Sequence, residues 1–209
     1  MIDFLIHVDD HLRQMVLAYG VWIYPVLFAI IFAETGLVVT PFLPGDSLLF
    51  AAGALAALEP DHLNVWLLVA VLSVAAMAGD SANYWIGRWL SPRIFRGERI
   101  RFLNQEHLDR THGFYEKYGA KTIVLARFVP VVRTFAPFVA GLGTMTYRRF
   151  MTFNVAGGIL WILVGVLSGF VFGRLPVVQD NFSLVILAIV VVSFLPMLYE
   201  FLRHRREIG

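Results

Sequence analysis

The chain has no cysteine. Disulfides, thiolate metal sites and a cysteine nucleophile are therefore excluded. Charge is also scarce: 15% of the 209 residues are Asp, Glu, Lys or Arg, against about 25% in soluble domains. There is no HExxH pair, no glycine-rich nucleotide loop, no GxSxG elbow and no nucleic-acid module. Six histidines are present, but His107 and His112 are five residues apart, a poor spacing for a metal pair on a helix. No metal, cofactor or nucleic-acid partner is expected. The first twenty residues hold Asp3, Asp9 and Asp10 without a basic n-region, so no cleavable signal peptide is expected.

What the chain has in excess is apolar sequence. Hydrophobic residues make up 58% of it, with a mean hydropathy of +0.71; soluble domains stay near about 45–50%. Several stretches are apolar on every side, which makes lipid the expected solvent. The formal net charge of +2 is less informative than where the charges lie.

Residues 4–19 place Leu5, Val8, Leu12, Met15 and Tyr19 on one side of Asp9, Asp10 and Arg13, the pattern of a surface amphipathic helix. Residues 21–58 form two apolar arms around a break at Pro41–Asp46. The second arm, Ser47–Leu58, covers about 18 Å of a roughly 30 Å hydrocarbon core and cannot span it. A re-entrant helical hairpin with its turn buried in protein satisfies that constraint. Val65–Trp89 is long enough to span. A basic loop over 91–101 and a second amphipathic helix over 104–118 follow. Thr122–Gly143 is again two short arms around prolines, Pro130 and Pro137. Phe150–Phe172 and Phe182–Phe201 read as two further spans.

The expected architecture is an all-α integral membrane protein, one domain over 1–209. Its order is amphipathic helix, re-entrant hairpin and transmembrane helix, twice over, with an extra C-terminal transmembrane helix over 181–202. Repeat one covers residues 1–90 and repeat two 102–173. Tyr19-Gly20 and Tyr118-Gly119 open the two hairpins, and Ala52-Gly53 and Ala140-Gly141 follow the two breaks. Eight Lys/Arg lie from Arg88 to Lys121, and Arg148, Arg149, Arg203, Arg205 and Arg206 follow later. The positive-inside rule places these in the cytoplasm, with the C-terminus. One span separates the repeats, so they are inverted, and the N-terminus is expected outside.

The breaks carry charge. The first has Glu34 and Asp46; the second has Arg127 and Arg133. A charged side chain at the bilayer centre costs roughly 2.5–3.5 kcal/mol on insertion scales and marks a functional candidate. Glu34 is either a carboxylate at a wet mouth or a proton or cation site. Asp46 follows Pro44-Gly45 and precedes Ser47-Leu48-Leu49, so it fits a helix N-cap and a functional acid equally. Arg127 and Arg133 either snorkel, pair with Glu34 and Asp46, or clamp a phosphate, which planar guanidinium groups suit. N–H groups around Thr134–Ala136, read as the start of the second arm, would add to an anion site. Asp80, Asn83, Tyr84 and Arg88 share helical spacing at the expected cytoplasmic end of the first span. A packing and interface role accounts for them as well as a functional one.

The motifs Phe32-Ala33-Glu34-Thr35-Gly36, Pro41-Phe42-Leu43-Pro44-Gly45-Asp46, Gly79-Asp80 with Tyr84 and Gly87-Arg88, and Phe114-Tyr115-Glu116-Lys117-Tyr118-Gly119 belong together. So do Ala126-Arg127-Phe128-Val129-Pro130, Val132-Arg133-Thr134 and Ala140-Gly141. With these the chain resembles the DedA family of bacterial inner-membrane proteins, also called the SNARE-associated or VTT-domain family, over nearly its whole length. The resemblance implies a membrane lipid transporter returning undecaprenyl phosphate, or a related phospholipid, across the cytoplasmic membrane at the expense of the proton motive force. It places the family's functional acids on Glu34 and Asp46 and its arginines on Arg127 and Arg133. Asp80, Tyr84, Pro41, Pro44, Pro130 and Pro137 would support them. The expected partners are a polyprenyl phosphate or phospholipid, the membrane and protons, with no enzymatic step. A proton-coupled carrier of small ions or solutes, with the arginines as counter-charges, is the alternative.

Overall fold

Every regular element among the described residues is helical. The computed structural model describes residues 20–36, 45–95, 115, 117–143, 145–176 and 178. In chain order the helices are α1 (Ile23–Gly36), α2 (Gly45–Leu58), α3 (Val65–Phe95), α4 (Thr122–Ala126), α5 (Pro130–Leu142) and α6 (Tyr147–Phe172). The expected amphipathic helix over 4–19, the first break with Pro41 and Pro44, the basic loop beyond Phe95, most of 104–118 and the span over 181–202 lie outside the described residues.

Two helices have the length and composition to cross a membrane. α3 has 31 residues and α6 has 26, about 46 and about 39 Å at 1.5 Å per residue, against a roughly 30 Å core. Trp66, Val74, Trp85 and Trp89 of α3 and Val164 and Val171 of α6 point outward, as a lipid solvent requires. The chain is an all-α membrane protein. α3 extends six residues past the expected end at Trp89. The first five residues of the expected loop over 91–101 are thus helical, because a proline in a last turn removes only one ladder bond and the helix runs through Pro92. α1 and α2 have 14 residues each, about 21 Å at 1.5 Å per residue and short of a roughly 30 Å core.

The chain divides into two compact units. The first holds residues 1–26, 42–69 and 163–209. There Asn64 caps α3: its Oδ1 accepts from the N–H groups of Trp66 and Leu67 at 2.9 and 3.1 Å. The Asn64 N–H donates to the Tyr24 hydroxyl at 2.9 Å. α2 crosses the end of α6 with almost no separation. A Cβ on Gly53 would lie 2.0 Å from the Val166 carbonyl oxygen, and one on Gly169 would lie 2.0 Å from that of Phe50.

The second unit holds residues 27–41 and 70–162. There α5 crosses α3 in the same register. A Cβ on Gly141 would lie 2.0 Å from the Tyr84 carbonyl oxygen, and one on Gly87 would lie 2.2 Å from that of Phe138. In each crossing the shorter helix contributes a Phe and a Gly three residues apart, and the long helix contributes a carbonyl and a Gly three residues apart. Gly20 and Gly119 both have positive φ, 45° and 58°, and each opens a 3-10 turn leading into the first arm of a hairpin. The core of this unit is Tyr84, Ile123, Ala126, Val132, Ala136, Ala140 and Phe150. Tyr115 ties in through its hydroxyl, which donates to the Ala136 carbonyl at 2.9 Å.

Replacing Gly87 or Gly141 by Ala forces a backbone to move, which typically costs about 1–3 kcal/mol. Gly143, whose added Cβ would meet nothing nearer than 3.4 Å, provides the control. Thermal unfolding in detergent is expected to show lower midpoints for Gly87→Ala and Gly141→Ala than for Gly143→Ala. Equal midpoints would refute the close crossing.

Candidate functional site

The second unit gathers four ionisable side chains around one point. Arg127 ends α4 with helical backbone angles (φ −57°, ψ −25°), and the chain then turns. The N–H groups of Phe128 and Val129 close on the Leu125 and Ala126 carbonyls at 3.2 and 2.8 Å, so the break leaves neither donor unpaired. Val129 is extended (φ −120°, ψ 106°), because a residue before proline is pushed out of the helical region. Pro130 then opens α5, where its missing N–H costs nothing. Arg133 lies one turn in, and its N–H closes on the Val129 carbonyl at 2.9 Å. The two arginines thus stand on either side of a proline-enforced turn.

Each arginine meets an acid from another helix. Arg127 forms an ion pair with Asp80 of α3, and Arg133 forms one with Glu34 of α1. Glu34 is 1% exposed, Asp80 3% and Arg127 5%, so these charges have little access to solvent. Removing an ion from water costs several kcal/mol even after relaxation, and attraction offsets it only where further polar contacts complete the site. Those contacts are present. The Arg127 Nη2 also donates to Asn154 Oδ1 at 2.6 Å, and Asn154 Nδ2 donates to the Met77 carbonyl at 3.1 Å. The Trp161 ring lies 5.8 Å from the Arg127 guanidinium and 5.3 Å from that of Arg133, inside the range of cation–π attraction. Gly157 and Gly158 of α6 leave the room. Their added Cβ atoms would approach Arg127 Nε to 3.2 Å and Nη2 to 3.4 Å.

A single amide aligns the two breaks. Asn83 Nδ2 donates to the Thr134 carbonyl at 2.8 Å and to the Thr35 carbonyl at 3.3 Å. Thr35 follows Glu34, and Thr134 follows Arg133. Gly79 lets α1 approach, since a Cβ there would fall 1.9 Å from Thr35 Oγ1 and 2.8 Å from the Phe32 carbonyl. Glu34, Thr35, Asp80, Arg127, Arg133, Thr134 and Trp161 enclose a cavity of about 10 Å³, roughly the room of one water molecule. Two positive and two negative groups therefore meet around room for about one water molecule.

Of the pairing of the arginines with Glu34 and Asp46, one of the alternatives above, the Arg133–Glu34 pair is present. Arg127 is answered by Asp80. Asp80 lies midway along α3, in the same unit as Arg127. Asp46 lies in the first turn of α2, in the first unit, and is exposed. A carboxylate in that turn is favoured by the helix dipole. The N–H groups of Thr134–Ala136 are inside α5, because the helix starts four residues before Thr134, and its own ladder takes them up. Tyr84 is 1% exposed but serves packing. Its hydroxyl donates to the Met145 carbonyl at 2.7 Å, and its ring stacks on Phe150 at 4.7 Å. Pro130 opens α5 and Pro137 is buried within it. Sequence reasoning passed over Asn154 and Trp161 and did not separate Asn83 from its neighbours. A lone amide in an apolar span is the signal that could have flagged Asn154, because an unpartnered amide there is costly.

A VTT domain model matches residues 43–171 of the chain. The Escherichia coli protein DedA is 55% identical over 206 residues, covering 99% of this chain and 94% of that protein. The chain belongs to the DedA family. An uncharacterized membrane protein of Mycobacterium tuberculosis is 42% identical over 188 residues, 90% of this chain and 82% of its own length. The E. coli inner membrane protein YqjA is 36% identical over 155 residues, 74% of this chain and 70% of its own. No solved structure matches. The domain match includes Asp46, Asp80, Arg127 and Arg133, while Glu34 lies ahead of it and within the longer likeness to DedA.

In this DedA-family protein, removing one partner of the buried pair is expected to cost about 3–5 kcal/mol, because a charge is left uncompensated. Asp80→Ala should therefore lower the unfolding midpoint well below that of Asp46→Ala. The double change Asp80→Leu with Arg127→Met should recover much of the loss. Equal midpoints for Asp80→Ala and Asp46→Ala would contradict a buried pair at Asp80.

Proposed function

We propose that this DedA-family protein carries a lipid phosphate between the leaflets of the bacterial cytoplasmic membrane, with undecaprenyl phosphate or a related phospholipid as substrate. The observation that carries the reading is the pair of sequestered guanidinium groups flanking one proline turn, each held by a carboxylate. Guanidinium groups bind phosphate oxygens through charge-assisted, often bidentate bonds, and a phosphate competes for them against Asp80 and Glu34. A cavity of about 10 Å³ is too small for a phosphate, so these ion pairs define the resting state. Entry of the headgroup requires the pairs to part while the prenyl tail stays in lipid.

Protons couple to this exchange through the acids. Protonating Glu34 removes one negative charge that holds Arg133 and so weakens its competition with the phosphate for that guanidinium. Asp46, in the other unit, enters the reading through the family resemblance alone. No bond is made or broken in the substrate, so the protein acts as a carrier and not as an enzyme. We place the basic segments and the C-terminus in the cytoplasm and the N-terminus outside. The two breaks belong to inverted repeats over residues 1–90 and 102–173, followed by the C-terminal span. The shared register of the two glycine crossings and the matching Tyr-Gly turns support that duplication.

Reconstitution in liposomes with labelled undecaprenyl phosphate tests the reading. Wild-type protein is expected to flip the lipid, and Arg127→Ala or Arg133→Ala to slow it by at least about tenfold, the scale of one lost charged hydrogen bond. Variants that flip as fast as wild type would overturn the phosphate clamp. Ion flux without lipid movement would favour the small-ion carrier. A flip rate indifferent to an imposed proton gradient would remove the coupling.

A further inference from the structure

Asn83 of α3 joins the end of α1 to the interior of α5. The last four carbonyls of a helix have no partner in its own ladder, and α1 ends at Gly36. The Thr35 carbonyl is among them, and it accepts from Asn83 Nδ2 at 3.3 Å. The same nitrogen donates to the Thr134 carbonyl of α5 at 2.8 Å. Asn83 is fully buried, and its Oδ1 takes no hydrogen bond among the described residues. An apolar side chain would avoid that unserved oxygen, so the residue is placed there for its two N–H donors. The reverse orientation of the amide would set its oxygen against two carbonyl oxygens. The two bonds are unequal. The one to Thr134 has an ordinary length, while the one to Thr35 is longer than usual. α3 also holds the other side of the proline turn, through the Asp80–Arg127 pair. The turn between α4 and α5 is therefore fixed to α3 on both sides, by Asp80 before Pro130 and by Asn83 after it. The end of α1, which carries Glu34, has the longer bond and meets α3 across Gly79, where no side chain interlocks the two helices.

We infer that Asn83 is the latch of the site: its amide holds the end of α1 closed on the α4–α5 turn, and the headgroup enters where that end moves away. This rests on the lipid-phosphate reading and names its moving part. Moving the end of α1 breaks the longer of the two amide bonds and parts Glu34 from Arg133 in one displacement. Moving the α4–α5 turn instead would break the shorter bond and the buried Asp80–Arg127 pair together. A neutral amide contributes less than a charged donor, which suits a contact that must release and re-form in every cycle. Asn83 is a positioning residue, since it acts on the headgroup only through where it holds α1.

The chain has no cysteine, so a single introduced thiol reports access without background. Thr35→Cys reports the end of α1, where Thr35 lines the cavity. Ala140→Cys, in the core of the same unit, is the control. Each is made with Asn83 intact, with Asn83→Leu and with Asn83→Asp, placed in liposomes and reacted with aminoethyl methanethiosulfonate. Leucine keeps the bulk without a donor. Aspartate keeps the shape but, charged or neutral, offers fewer than two donors. Both changes are expected to speed labelling of Thr35→Cys by at least about threefold, the scale of one lost neutral hydrogen bond, and to leave Ala140→Cys unchanged. With no proton gradient imposed, Asn83→Leu alone should flip labelled undecaprenyl phosphate faster than wild type by a similar factor. Unchanged labelling at Thr35→Cys, or an equal rise at Ala140→Cys, would overturn the inference. Faster labelling without faster flipping would overturn it too, because the end of α1 would then not be the way in. If Asn83→Leu loses its monodisperse elution in detergent, Asn83→Asp carries the same requirements. Arg127→Ala and Arg133→Ala variants that flip as fast as wild type defeat the parent reading. Slow alanine variants with unchanged labelling defeat this inference alone.

Discussion

A guanidinium sequestered from water must be neutralised where it stands, and this chain sets two of them on one short hairpin. That demand organises the second unit. Asp80 has to lie midway along a long helix, Glu34 has to arrive from another, and both have to approach closely enough to touch. Glycines at the crossings allow it: Gly79 admits α1, Gly87 and Gly141 admit α5, and Gly157 with Gly158 admit the Arg127 side chain itself. Asn83 then holds the carbonyls following Glu34 and Arg133 to one amide group. Small residues at helix crossings suit a protein in lipid, where association depends on close packing and polar contacts more than on water exclusion.

The same constraint links stability to function. Four charges that cancel are tolerable in an apolar surrounding, but they are held by interactions that a competing anion or a proton can replace. Under the proposed function a lipid phosphate is such an anion, and the ion pairs are the state from which transport would begin.

Much of this was legible in the sequence, for physical reasons that differ by residue. The long apolar runs gave the two spans, and the prolines gave the short arms, because hydrocarbon thickness and the missing proline N–H act locally. The charges at Glu34, Arg127 and Arg133 stood out through their apolar neighbours. The partner of Arg127 did not. Asp80 reaches Arg127 across a helix interface, which spacing along the chain does not reveal. Asn154 and Trp161 act across a helix interface, where sequence spacing carries no information. The Tyr-Gly and Ala-Gly repeats were visible as letters, and their equivalence as positive-φ turns and backbone crossings emerged only in three dimensions.

If a lipid phosphate displaces the carboxylates from the arginines, Trp161, whose ring lies 5.8 and 5.3 Å from the two guanidinium groups, can report it. The other four tryptophans, Trp22, Trp66, Trp85 and Trp89, are all exposed and can be replaced by Phe, leaving Trp161 as the sole indole. Its fluorescence in nanodiscs is then followed while undecaprenyl phosphate is titrated in. The account predicts a saturable change that is absent with undecaprenol, which lacks the phosphate, and is lost in Arg133→Ala. An unchanged signal in protein that still flips the lipid, or an equal response to the uncharged alcohol, would contradict it.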